Sequence, residues 1–145
     1  MTQQNIPERK DIPDDHKWDL TPLFATDEDW AKWVTEVEGQ IDSYADYKGR
    51  LKDSADILKA ALDFHLSLQR RLERIYTYAH LKSDEDKSNQ FYQGLHQRAI
   101  SLHVRASESA SFLTPEIQAI PDDQMQGILA DDSLAEYRFH LEKIL

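Results

Sequence analysis

The chain contains no cysteine, which removes disulfide staples, thiol nucleophiles and thiolate metal sites from its chemistry. Its apolar runs are only a few residues long, far short of a membrane span. The first residues, Met1 to Pro7, lack the apolar core of a secretory leader. A cytoplasmic protein is the expectation. Glycine and proline are also scarce, at four and five residues, and neither occurs from Leu51 to Tyr92. Such a stretch leaves room for long helices. Valine appears only as Val34, Val37 and Val104, and no segment alternates apolar and polar residues over a strand length. The fold class expected is therefore all-α. Basic residues are outnumbered, 17 against 27 acids, for a formal charge of −10. That balance disfavours nonspecific binding to nucleic acid and adhesion to an anionic membrane.

The charge is unevenly spread. Residues 1–57 hold 14 acids against 7 bases, residues 58–113 hold 6 against 8, and residues 114–145 hold 7 against 2. Pro7 and Pro13 keep residues 1–25 out of a helix, so they read as an extended strap, with Trp18, Leu20, Leu23 and Phe24 available to dock. Residues 26–145 read as the helical domain. Thr26 is set to cap a helix from Asp27 to about Tyr44, with Asp29 returning the bond. Trp30, Trp33, Val34, Val37 and Ile41 form its apolar stripe. A turn containing Gly49 precedes a helix capped by Asp53 or Ser54. Its inward positions are Leu58, Leu62, His65 or Leu66, Leu72, Tyr76 and Ala79, and it is expected to reach Leu81 before Ser83-Asp84-Glu85-Asp86 interrupts it. From Ser88, a stripe through Tyr92, Leu95, Ala99, Leu102, Ala106, Ser109 and Leu113 predicts an antiparallel partner. Short helices follow: one from Glu116 after Thr114 and Pro115, one after Pro121 through Leu129, and one from Asp131 or Asp132 through Ile144. The apolar pattern still runs at Leu145, which predicts a longer protein.

Motifs for chemistry are few. The six histidines include no H-E-x-x-H pattern, and His96 and His103, seven residues apart on a helix, lie roughly 10 Å from each other. No nucleophile elbow, phosphate loop or dinucleotide fingerprint occurs. Hence no catalytic residue and no metal ligand is assigned. Arg74, Tyr76, Tyr78 and His80 group near one helix end, with Tyr92 on the opposing stripe. Aromatic, basic and imidazole groups of this kind suit a peptide groove, and Arg74 and Tyr78 are the candidate substrate-binding residues. The same tyrosines also suit the edge of a core.

The ordered set Trp18-Asp19-Leu20-Thr21-Pro22-Leu23-Phe24, then Trp30, Arg71-Leu72, Tyr76-Thr77-Tyr78-Ala79, Leu81, Asp84 and Phe112-Leu113-Thr114-Pro115-Glu116-Ile117 is distinctive in combination. It resembles the N-terminal part of oligoendopeptidase F, a thimet-oligopeptidase-like zinc metallopeptidase. That resemblance implies a mainly helical parent that hydrolyses short peptides. Its zinc would lie in a C-terminal catalytic domain missing from these residues. The chain itself would be a non-catalytic channel wall without a cofactor, partnered by that domain and by short peptides. The competing reading is an independent helical interaction module anchored by Trp30, Trp33 or an exposed helical stripe.

Overall fold

The computed structural model describes residues 7–145; the first six positions of the expected strap and of the leader reading lie outside the described residues. Among those described, every regular element is helical. Helix α1 spans Asp27–Ile41, α2 Ala55–Glu85, α3 Gln90–Ala110, α4 Leu113–Gln118, α5 Asp122–Ala130 and α6 Arg138–Ile144. Single 3-10 turns form at Arg9–Asp11 and Asp14–His16, and longer 3-10 segments at Asp42–Asp46 and Asp132–Tyr137.

The all-α class and the long antiparallel hairpin stand. Helix α2, about 45 Å long at 1.5 Å per residue, packs along α3, and α1 crosses both. Close approach is permitted by Ala79 on α2 and by Ala99, Ala106 and Ala110 on α3, all buried. One continuous core joins Trp30, Val34, Val37 and Ile41 of α1 to Leu58, Leu68, Leu72 and Ile75 of α2, and reaches Ile117, Leu134 and Leu141. Trp30 is 1% exposed, and its indole N–H donates to the Ile75 carbonyl at 2.9 Å. Trp33 lies under the guanidinium groups of Arg71 and Arg74 and edge-on to Phe24. Neither tryptophan is left to anchor a separate partner.

Several boundaries differ from expectation, each for a local reason. Helix α1 ends at Ile41 because the backbone tightens into a 3-10 segment. The tighter turn still buries Tyr44, whose ring packs edge-on against Phe64 and Phe112. Thr26 does cap α1 by accepting from the Asp29 amide, but the Asp29 carboxylate turns toward Lys32, 3.7 Å away. Ser54, not Asp53, caps α2. That helix passes Leu81 and runs to Glu85, because Ser83 faces the core while Asp84 and Glu85 bind Lys87 and Arg9 instead of capping. Its stop is the Asp86 turn, where the carboxylate accepts from the Ser88 amide and hydroxyl. Asn89 then caps α3. Helix α4 begins at Leu113, so Pro115 sits in its first turn, where an N–H has no helical acceptor in any case. The last predicted helix is divided. Leu134 and Tyr137, three residues apart, share the buried side of a 3-10 segment before α6.

The expected turn around Gly49 is clamped from a distance. Glu116 of α4 accepts from the amides of Gly49 at 2.8 Å and Leu51 at 2.9 Å. Gly49 has φ +82°, a conformation that side chains with a Cβ rarely adopt.

Candidate functional site

Residues two apart on an α-helix point about 200° apart, whereas residues four apart share a face. The sequence cluster Arg74, Tyr76, Tyr78, His80 therefore separates into two pairs on opposite sides of α2.

Arg74 and Tyr78 face α1 and the lead-in. The Arg74 guanidinium donates to the carbonyls of Leu23 at 2.9 Å and Pro22 at 2.7 Å, and lies over the ring of Phe24. Tyr78 is 3% exposed and donates its hydroxyl to Asp27 Oδ1 at 2.8 Å. Tyr92 of α3 donates to the other oxygen of Asp27 at 3.1 Å. One carboxylate in the first turn of α1 thus ties three elements together, and also favours the positive end of the helix dipole. Burial, and then the Asp27 carboxylate, push the Tyr78 hydroxyl far above the ordinary phenol range. Burial followed by the Asp27 charge raises Tyr92 as well. Lys82 sits over both rings. Of the two residues singled out for peptide contact from sequence, Arg74 thus holds the lead-in and Tyr78 the first turn of α1.

Tyr76 and His80 face the other way, across the α2–α3 seam. Tyr76 stacks on His80 with centroids 5.4 Å apart, and meets His96 at 5.4 Å and His103 at 5.8 Å edge-on. His80 and His96 lie 4.9 Å apart. The Nε2 of His80 approaches Asp84 at 3.3 Å. Nδ1 of His80 and Nε2 of His96 are buried without a hydrogen-bond partner among the described residues. Desolvation, and then the neighbouring His80, hold His96 below the usual imidazole range; Lys87 adds to this and Asp84 opposes it. Sequence reasoning missed this four-ring cluster. Its signal was present: Tyr76 and His80 are four residues apart, and His96 and His103 are seven apart on the partner stripe.

His65 lies elsewhere, 2.7 Å through Nδ1 from the Tyr44 hydroxyl. Burial lowers its imidazole, with His140 contributing, and burial raises Tyr44 to about 12. No group of three or more His, Asp or Glu among the described residues is placed to hold a metal ion. Their donors do not fit a catalytic zinc. No helix among them is long and apolar enough to cross a membrane.

No family model matches the chain. Individual proteins do. Oligopeptidase PepF of Bacillus subtilis (strain 168) is 39% identical over 140 residues, which are 96% of this chain and 21% of that protein. Group B oligopeptidase PepB of Streptococcus agalactiae serotype III (strain NEM316) is 36% identical over 137 residues, 94% of this chain and 23% of that protein. The crystal structure of oligoendopeptidase-F from Enterococcus faecium superposes with a TM-score of 0.75 at 34% identity, covering 81% of this chain and 23% of that one. The chain spans about a fifth of the length of the relatives it matches.

Proposed function

From a chain homologous to oligoendopeptidase F over about a fifth of that protein's length, we propose that it forms the N-terminal, non-catalytic wall of a zinc-dependent oligopeptidase acting on short peptides. The observation that carries this reading is the match along 96% of the chain to 21% of an oligopeptidase. Within it, a rigid hairpin faced by α1 supplies a barrier, and steric exclusion by such a barrier favours short, unfolded substrates. Zinc and the groups that activate water belong to residues beyond these 145. Arg74 and Tyr78 act as positioning residues that fix the lead-in and the first turn of α1 on the wall. The compartment in this reading is the cytoplasm, and nucleic acid has no part in it. The independent interaction module is not favoured.

The test uses quenched fluorescent peptides of increasing length. The longer polypeptide cleaves the short ones and loses activity to a zinc chelator, whereas the 145-residue chain cleaves none. Hydrolysis by the 145 residues alone, or chelator-resistant cleavage by the longer polypeptide, would overturn the reading.

A further inference from the structure

The α2–α3 hairpin is ionically asymmetric. On one side Arg71 pairs with Glu36, Arg98 with Glu38 and Arg105 with Asp42, all on or just after α1. Arg74 holds the lead-in on that same side. Those charges are each paired or hydrogen-bonded within the chain.

The opposite side is built differently. The four-ring cluster is flanked by Leu66 on α2 and by Ile100 and Val104 on α3, and by helical spacing these residues fall in one arc of roughly 100° on each helix. Leu66 is 44% exposed and Val104 53%. Residues Asp132–Tyr137 cover only the beginning of this side, where Tyr137 donates to Asp63 and Glu136 pairs with Lys59. Charge along the remainder is sparse: Arg70 beside Leu66, Glu73 in the middle, and Asp84 with Lys87 at one end. In a chain where 30% of residues are charged, a broad strip of Leu, Ile, Val, Tyr and His is out of character for a solvated surface. Enrichment in aromatic residues with depletion of charge marks the core of a protein interface.

We infer that this ring-lined side of the hairpin is the face on which the remainder of the longer polypeptide docks. The inference rests on the chain being part of a longer peptidase. Its occupant follows from size and chemistry. The relatives hold roughly four-fifths of their length outside the matched region. The α1 side is already occupied by this chain's own elements, and the open side offers an apolar, weakly charged surface. A complementary surface would be apolar too, with a hydroxyl or amide beside the imidazoles.

Hydroxyl-radical footprinting read by mass spectrometry tests this on the 145-residue chain and on the longer polypeptide. Leu66, Tyr76, His103 and Val104 should oxidise several-fold more slowly in the longer polypeptide. Equal rates at Leu66 and Val104 in the two would overturn the docking. A second arm places Ile100→Glu and Val104→Glu in both proteins. The urea midpoint should fall in the longer polypeptide and hold in the short one. If these residues are open in the longer polypeptide and become protected only on adding a non-cleavable peptide, the face contacts substrate and the docking is wrong. Hydrolysis by the same preparation reports separately on the peptidase reading.

Discussion

Asp27 is the most informative single residue to change. Its carboxylate accepts from the hydroxyls of Tyr78 and Tyr92, which belong to different helices, and it lies in the first turn of a third. Asp27→Ala leaves the buried Tyr78 hydroxyl without its acceptor, whereas the partly exposed Tyr92 can turn to water. A lost hydrogen bond to a charged group, with one buried donor stranded, costs about 2–3 kcal/mol. Loss of the helix-dipole interaction adds about 0.3–1 kcal/mol. The sum, about 3 kcal/mol, corresponds to a melting temperature lower by roughly 10 °C in a chain of this size. Glu28→Ala is the control. It removes an exposed acid from the same turn without touching either tyrosine, so only the dipole effect should appear. Adding Tyr78→Phe to Asp27→Ala removes the stranded donor, and should restore about 1–2 kcal/mol. Urea unfolding followed by circular dichroism at fixed pH measures the parent chain, these three variants and the Tyr78→Phe single. If Asp27→Ala matches Glu28→Ala, or if the double variant is simply the sum of its singles, the account of this junction is wrong.

Two further outcomes follow from the same physics. Glu116→Ala removes both acceptors from the Gly49 and Leu51 amides and should cost about 2–3 kcal/mol, with Glu116→Gln intermediate because one amide oxygen remains; a change below about 0.5 kcal/mol in urea unfolding would refute the clamp. His65 and His96 both bind protons less readily in the folded chain than in the unfolded one. Stability should therefore decline as pH falls from about 6.5 through their folded values, since the unfolded chain takes up more protons there. Urea midpoints taken from pH 7.5 down to 5 check the sign, and His96→Gln should flatten the slope; a midpoint that rises with acid would contradict it.

The helices were legible because their signals are local. Thr26 and Ser54 cap where a hydroxyl precedes an apolar period, and the spacing of Ala99, Leu102 and Ala106 sets the face of α3. What escaped were features fixed by distant partners. Nothing near Glu116 signals that it accepts from a turn 65 residues earlier, and nothing near Ser83 signals that it faces the core. The site was misgrouped for a geometric reason. Arg74, Tyr76, Tyr78 and His80 are neighbours in a line, but a helix sends alternate members of that line to opposite sides. Reading by fours would have placed Tyr76 with His80, and Arg74 with Tyr78. It would not have found Asp27, because that contact closes across 51 residues.

That separation bears on the order in which the chain can assemble as it is made. The lead-in leaves the ribosome before its anchors: Arg74, Tyr78 and Tyr92, which fasten it and the start of α1, come 51 to 65 residues later. Local turns and α1 itself can form early, but the lead-in has no place to settle until the hairpin has turned the corner into α3. A segment synthesised before its anchors is thus among the last to be sealed.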